Sequence, residues 1–595
     1  MCRIAGILNT SIPVTELQKT VTTMCELLKH GGPDDGGIYT ADDAHLVLGN
    51  RRLALMDLTT AGQMPMHYDG RYTITYNGEL YNFKELKDLL LADGMQFKTN
   101  SDTEVILAAF AKWNTQSFCK LNGMFAFALW DNEEKKLYLV RDAAGIKPLY
   151  YSTHTGGICF ASEIRGFAPV NYLQEKEQHA AVYQLAYGFI PEPITVLAKV
   201  KALPKGCFCM YDFNTNSSSV QSFKFFSFNN NITDEASAKQ LIYKNTQDAV
   251  HRQMLADEQV GIFLSGGIDS AIIAKLANQQ TEKKLHTLSI YFDEEEYSEK
   301  KYQDIIAEEV KSIHHSILLK EEDFHKDFGS VIASMDMPTC DGINTWFISK
   351  FAAQEGLKAV LSGIGADELY GGYPSFKRIT KALLLQNLPH TLLQLSNKLD
   401  LKKYNRLAYL KLDGIRGIYL FLRGHFTPVQ IAAQLGSYEN DIWNILSSKP
   451  VSPKLKRLGG QTKASWMEYN IYMQDQLLRD ADVMSMAHGL EIRVPFLDNK
   501  SIETGFSIDE KLKFRSAVPK QLLIDSFVDI LPTAIWNRPK MGFSFPFNEW
   551  LKNSSFVKDL GNSNNKETKK AVDDFLKGDL HWSRIMSLLM LKHKL

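Results

Sequence analysis

Apolar and polar positions alternate in short runs along the first part of the chain. "RYTITYNGEL" sets Ile74 and Tyr76 against Thr73 and Thr75, a period of two that predicts a strand. "GMFAFALWD" differs, because Phe125, Phe127 and Leu129 share one face while Ala126 and Ala128 share the other. Apolar residues on both faces predict a strand covered on both sides, and the alanines predict one very close approach. "DTEVILAAFAKW" reads as a helix, so a layered sandwich of sheets and helices is expected here.

Beyond about residue 230 the pattern changes. A helix-like stretch from Ala238 to Met254 leads into "QVGIFL", a glycine turn and then "AIIAKLANQQ" with helical periodicity. "KLHTLSIYF" and "LKAVLSGIGADE" each begin as a further strand. Strands alternating with helices predict a parallel, doubly wound sheet. The remaining C-terminal sequence is mostly helical by pattern. The polar "FNTNSSSVQSFKFFSFNNNITDEAS" is the expected linker, dividing the chain into 1–212, a connection at 213–235, and 236–595.

Composition narrows the class without naming a function. At 595 residues the chain exceeds one ordinary core. With 67 Lys and Arg against 68 Asp and Glu, and no basic run, nothing resembles a nucleic-acid arm. No apolar stretch reaches the roughly 18 residues of a membrane span. "MCRIAGILNTSIPVTELQ" lacks the basic and apolar regions of an export signal. Seven cysteines, from Cys2 to Cys340, form no disulfide framework, and "CFC" at Cys207 to Cys209 has no second pair at zinc spacing. A cytoplasmic enzyme acting on small molecules, without nucleic-acid or membrane partners, is the expectation.

"LSGGIDS", Leu264 to Ser270, lies between a predicted strand and a predicted helix. Gly266 and Gly267 can take positive φ and turn successive N–H groups inward, and the following helix directs its dipole at the same point. Ser265 and Ser270 add hydroxyls, and Asp269 offers a carboxylate suited to Mg²⁺. The loop is neither a Walker A motif nor a dinucleotide fingerprint. It resembles the PP-loop of enzymes that cleave ATP between its α and β phosphates.

At the other end, removal of Met1 would leave Cys2 with a free α-amine able to act as base to its own thiol. Such a nucleophile needs an oxyanion hole, and "YNGELYN" offers the Asn77 amide and the Gly78 N–H. Arg52 could hold a carboxylate, and Glu79 and Asp102 an ammonium. The Met-Cys start, "GGPDDGG", "RRLALMD", "YNGELYN", "SDTE" and "RDAAGIKPLYY" together resemble class II glutamine amidotransferases.

With the PP-loop behind it, the whole chain resembles the glutamine-hydrolysing asparagine synthetase family. The resemblance implies an αββα N-terminal nucleophile sandwich of the α+β class. An α/β PP-loop domain with a helical C-terminal part would follow it. It further implies that Cys2 attacks glutamine and that Asn77 and Gly78 stabilise the oxyanion. Arg52, Leu53, Ala54, Leu55, Met56, Glu79 and Asp102 would then bind glutamine. Leu264, Ile290, Ser362 and Gly363 would line the adenosine, Asp269 and Asp367 would hold Mg²⁺ with ATP, and Lys540 would stabilise adenylation. Asp482, Glu491 and Arg493 read as structural ion pairs rather than ligands. Homodimerisation is a further family expectation.

Two positions depart from the family pattern. Gly31 stands where an arginine is usual in R-H-R-G-P-D, and Ile364 stands where S-G-E-G-x-D-E carries glutamate. The second departure leaves open an acceptor carboxylate other than aspartate, such as a uronic acid, a peptide or a specialised metabolite.

Overall fold

The computed structural model describes residues 2–57, 62–154, 156–281, 283–389, 393, 405–448, 455, 458–542 and 545–595. Two six-stranded antiparallel sheets make up the first half. The strand order of one is Lys201–Ala202, Tyr150–His154, Gly157–Ala161, Cys2–Asn9, Leu46–Arg52, Asp35–Ala41. The other runs Ser217–Ser222, Cys207–Asp212, Lys136–Arg141, Gly123–Asp131, Tyr72–Leu80, Met66–Tyr68.

The sheets pack face to face over Ile4, Leu8, Leu46, Leu48, Ala126 and Ala128. The two alanines stand in the inter-sheet layer, while Phe125, Phe127 and Leu129 meet the helix Asp102–Trp113 on the outside. Helix Val14–Leu27 covers the other sheet over Ala5, Ile7 and Val47. The expected αββα layering is therefore present, with the close approach on the alanine side.

The alternation in "RYTITYNGEL" predicts a strand but not its surroundings. Tyr72–Leu80 is buried along its whole length. Thr73 and Thr75 face the other sheet rather than solvent, and Thr75 Oγ1 donates to the Gly49 carbonyl at 3.0 Å. A hydrogen-bonded threonine satisfies its hydroxyl inside an apolar layer, so a polar residue can stand on a buried face.

The stretch expected as a linker also needs correction. Residues Ser217–Ser222 pair with Cys207–Asp212 as the edge strand of the second sheet. An edge strand exposed to water needs no apolar stripe, and its serines hide it from a hydrophobicity reading.

The second half holds five parallel strands in the order Ile313–Leu318, His286–Tyr291, Val260–Phe263, Ala359–Leu361, Glu491–Arg493. Helices Ile268–Asn278, Lys300–Glu309 and Ile343–Gln354 connect them, and helices dominate from Ser375 to Lys594. The edge strand Glu491–Arg493 arrives about 130 residues after its neighbour. Both halves feed one apolar cluster, in which Leu53, Leu55, Tyr183 and Phe189 join Ile343, Tyr419 and Met484.

Candidate active site

Cys2 begins the first strand opposite Arg52 in register. Its backbone N–H donates to Asn77 Oδ1 at 3.3 Å. Asn77 Nδ2 is buried and has no partner, so the residue that meets the Cys2 N–H keeps one amide donor for an anion. Gly78 follows in the same strand. Burial pushes the Cys2 thiol up, while a hydrogen bond from the Leu53 backbone and the Arg52 charge pull against it. Met1 lies outside the described residues.

The loop after Arg52 forms the pocket wall. Arg52 Nη2 donates to the carbonyls of Met56 at 3.2 Å and Asp57 at 2.5 Å, and Ala54 N–H donates to Asp34 Oδ2 at 2.9 Å. Leu53 and Leu55 are buried in the shared cluster. The second half grips this loop as well: Asp57 N–H donates to Asp257 Oδ2 and Asp257 N–H to the Leu55 carbonyl.

Two buried carboxylates flank the pocket. Asp102 Oδ2 accepts from Tyr76 Oη at 3.0 Å and Leu80 N–H at 2.9 Å. Glu79 lies 3.7 Å from Arg493 Nη2. Burial first, and then the Glu491 charge, hold its carboxyl far above the usual range, against the pull of Arg493. Arg493 in turn pairs with Glu491 at 2.5 Å. Asp482 pairs with Arg3 and Lys147. All three residues expected as structural ion pairs are thus paired, and each pairing involves or adjoins the first half.

The loop from Leu264 to Ser270 is knitted by its serines. Ser265 Oγ and Ser270 Oγ are 3.1 Å apart, and Gly267 N–H donates to Ser265 Oγ at 3.3 Å. Gly266 has φ +78, as expected. Gly267 corrects the expectation: at φ −84 it is extended, because it is the N-cap of helix Ile268–Asn278. Leu264 and Ile290 are buried at the ends of neighbouring strands, with Leu264 N–H donating to the Leu288 carbonyl at 2.8 Å. Ser362 N–H donates to the Arg493 carbonyl. A Cβ on Gly363 would lie 2.7 Å from Asp269 Cβ, so its absence lets the 265–270 and 362–368 loops meet. Ile364 is half-buried against the main apolar cluster.

Both expected metal acids converge on one cation. Lys520 Nζ lies 2.7 and 2.8 Å from the Asp269 oxygens and 2.7 Å from Asp367 Oδ1. Lys540 reaches Asp367 Oδ2 at 2.5 Å from the solvent side; Phe543 and Ser544 of its segment lie outside the described residues. The sequence reading singled out Lys540 and missed Lys520. Lys520 is nearly fully buried and has φ +59, an uncommon conformation for a side-chain-bearing residue that costs on the order of 1–3 kcal/mol. "SAVPKQLL" carries only the faint signal of a lysine ahead of a helix. Arg538 was missed too: it donates to the Gly266 carbonyl at 2.8 Å and pairs with Glu299 at 2.6 Å, bracing the loop.

Among the described residues no group of three or more His, Cys, Asp or Glu could hold a metal. Two carboxylates facing one point nevertheless suit Mg²⁺, which takes one or two acids and completes its shell with phosphate and water oxygens.

The fold and sites define a carbon–nitrogen ligase that takes its nitrogen from glutamine. Residues 1–224 match the model of the glutamine amidotransferase domain, and 242–593 match that of asparagine synthase. The chain belongs to the glutamine-hydrolysing asparagine synthetase family. It is 31% identical over 575 residues to asparagine synthetase [glutamine-hydrolyzing] 1 of Bacillus subtilis, covering 93% of this chain and 88% of that one. A putative asparagine synthetase of Mycobacterium tuberculosis is 30% identical, over 88% of this chain and 84% of its own. A protein named Amidase chry2 from Gibberella zeae is 24% identical over 90% of this chain and 86% of its own. No helix among the described residues is long and apolar enough to cross a membrane.

Proposed function

We propose that the protein makes asparagine from aspartate, using glutamine as nitrogen donor and ATP as activating reagent. The convergence of Asp269 and Asp367 on Lys520 beside the serine-glycine loop carries this reading, and the names of the relatives support it.

At the first site the Cys2 α-amine takes the thiol proton, and the sulfur attacks the glutamine amide carbon. Asn77 Nδ2 and the Gly78 N–H receive the oxyanion. Arg52, Glu79 and Asp102 hold the α-carboxylate and α-ammonium. The amine gives that proton to the amide nitrogen, ammonia leaves, and water then cleaves the thioester to release glutamate.

At the second site a β-carboxylate oxygen of aspartate attacks the α-phosphorus of ATP. The α–β bridge breaks and pyrophosphate departs toward Lys520 and Lys540. Asp269 and Asp367 would hold Mg²⁺, which when bound neutralises phosphate charge. Ammonia attacks the acyl carbon, a proton is lost, and AMP leaves with the bonding electrons. Ammonium at neutral pH is protonated and non-nucleophilic, so ammonia travels between the sites inside the protein. The seven free cysteines accord with a cytoplasmic setting.

A second reading keeps this chemistry and changes the acid. Ile364 favours it, since an isoleucine cannot exchange protons with ammonia, as does the likeness to a relative named an amidase. ATP–pyrophosphate exchange across a panel of carboxylates separates the two readings. Exchange with aspartate supports asparagine synthesis, and exchange only with another acid overturns it.

A further inference from the structure

Arg3 follows the nucleophile in the first strand, and side chains alternate between faces there. Ile4 and Leu8 enter the inter-sheet layer, whereas Ala5 and Ile7 lie under helix Val14–Leu27. Arg3 shares the face of Ala5 and Ile7, opposite to that of Cys2. It is completely buried.

Its guanidinium joins the two halves. Nε lies 2.7 Å from Glu163 Oε1 in the first half, and Nη1 lies 2.8 Å from Asp482 Oδ2 in the second. Lys147 Nζ holds the other Asp482 oxygen at 2.8 Å. His30 Nε2 at 3.0 Å and Arg165 Nε at 2.8 Å complete the surroundings of Glu163. Asp482 is therefore a buried charge of the second half whose two cations both come from the first. Removing either partner of such a pair leaves a charge unmatched in a dry place.

Gly31 makes the room. A Cβ there would stand 2.8 Å from Arg3 Nε and 2.9 Å from its Cγ. The position where the family pattern carries arginine is empty so that an arginine from the strand can fill the space. In this chain the cation beside that position comes from the residue bonded directly to the nucleophile.

The path continues beyond Asp482. Its helix, Leu478–Met486, also carries Asp480, whose Oδ2 accepts from Thr339 Oγ1 at 2.7 Å. A Cβ on Gly342 would meet Asp480 and Met484 at 3.1 Å. Thr339 and Gly342 belong to "MPTCDGINTW", the segment ahead of the 362–368 loop. One helix thus touches Arg3 on one side and this segment on the other.

We propose that Arg3 is a positioning residue that couples glutamine hydrolysis to use of the ammonia, by tying the nucleophile's strand to the Asp482 helix. This inference rests on the reading that ammonia made at Cys2 is consumed at the nucleotide site. The test compares Arg3→Met with the double exchange Arg3→Gly/Gly31→Arg, measuring glutamate released, pyrophosphate released with glutamine, and pyrophosphate released with ammonia. In Arg3→Met, ammonia-driven pyrophosphate release stays within about twofold of the parent, while glutamate per pyrophosphate rises about threefold to tenfold. The exchange, which returns an arginine to the same space, brings the ratio back toward the parent's.

An unchanged ratio in Arg3→Met overturns the proposal, as does loss of both half-activities in parallel. If Arg3→Met does not fold, the exchange decides alone: a folded protein with the parental ratio supports the role, and anything else refutes it. Ammonia-driven pyrophosphate release by the parent tests the proposed function separately. Its absence with every carboxylate would defeat that function and the coupling with it, whereas its presence leaves the ratio to judge Arg3.

Discussion

The Cys2 pocket takes its groups from two facing strands and the loop and helix beside them, whereas the nucleotide site draws Asp269, Asp367, Lys520 and Lys540 from four separate segments. In the first, Asn77 Nδ2 is buried and unpartnered on a strand of the sheet. In the second, the acids and lysines neutralise one another. A nucleophile must be pre-positioned within tenths of an ångström of its oxyanion donors. A phosphate site must instead exchange one set of charge partners for another, and side chains on helix ends and loops can do so without disturbing a sheet.

Cys2→Ala is the sharpest way to break this comparison. Glutamine-dependent pyrophosphate release should fall on the order of 10⁴-fold, while ammonia-dependent release stays near the parent's. Parallel loss would show that the two sites do not divide the work. Lys520→Met should cost pyrophosphate exchange about 10³-fold with glutaminase activity intact. Lys540→Met should cost only about tenfold, because its charge acts from the water side through a higher effective dielectric. A reversed order of the two lysines would mean that the exposed one does the chemistry.

The smallest effect is one of pH. Burial and Glu491 raise the Glu79 carboxyl to about 8, which leaves it largely protonated at neutrality. In the proposed role of Glu79, glutamine's ammonium calls for the ionised form. The KM for glutamine in the glutaminase assay should therefore drop up to about tenfold per pH unit as pH rises toward 8, with Cys2, Arg52, Asp102, Glu491 and Arg493 as the other charged or titratable groups at the site. A KM that rises over that range would remove Glu79 from the ammonium subsite.

The two sites also differed in how far the sequence revealed them. Cys2, "YNGEL" and "SGGIDS" could be read because each packs its chemistry into a few adjacent residues on one turn or strand. Lys520 could not: it meets Asp269 from 251 positions away, on a left-handed residue that no periodicity marks. Glu491–Arg493 is a strand of three residues with charged ends, too short and too polar to register as one. The alternation around Thr73 and Thr75 marks the strand but not its burial, because hydrogen bonds inside a sandwich can bury a hydroxyl as readily as a methyl. Arg3 carries no motif at all. Only its position against Gly31 gives it meaning.

The edge strand Glu491–Arg493 has a consequence for the order of synthesis. A ribosome releases the first half of the chain while the last strand of the second is still unmade, and domains generally fold as they emerge. Until residue 493 is added and seated beside Leu361, Glu79 lacks the cation that faces it in the finished protein. The newborn amidotransferase half therefore meets neither Glu491 nor Arg493, and Glu79 gains its finished electrostatic surroundings only when the second half folds.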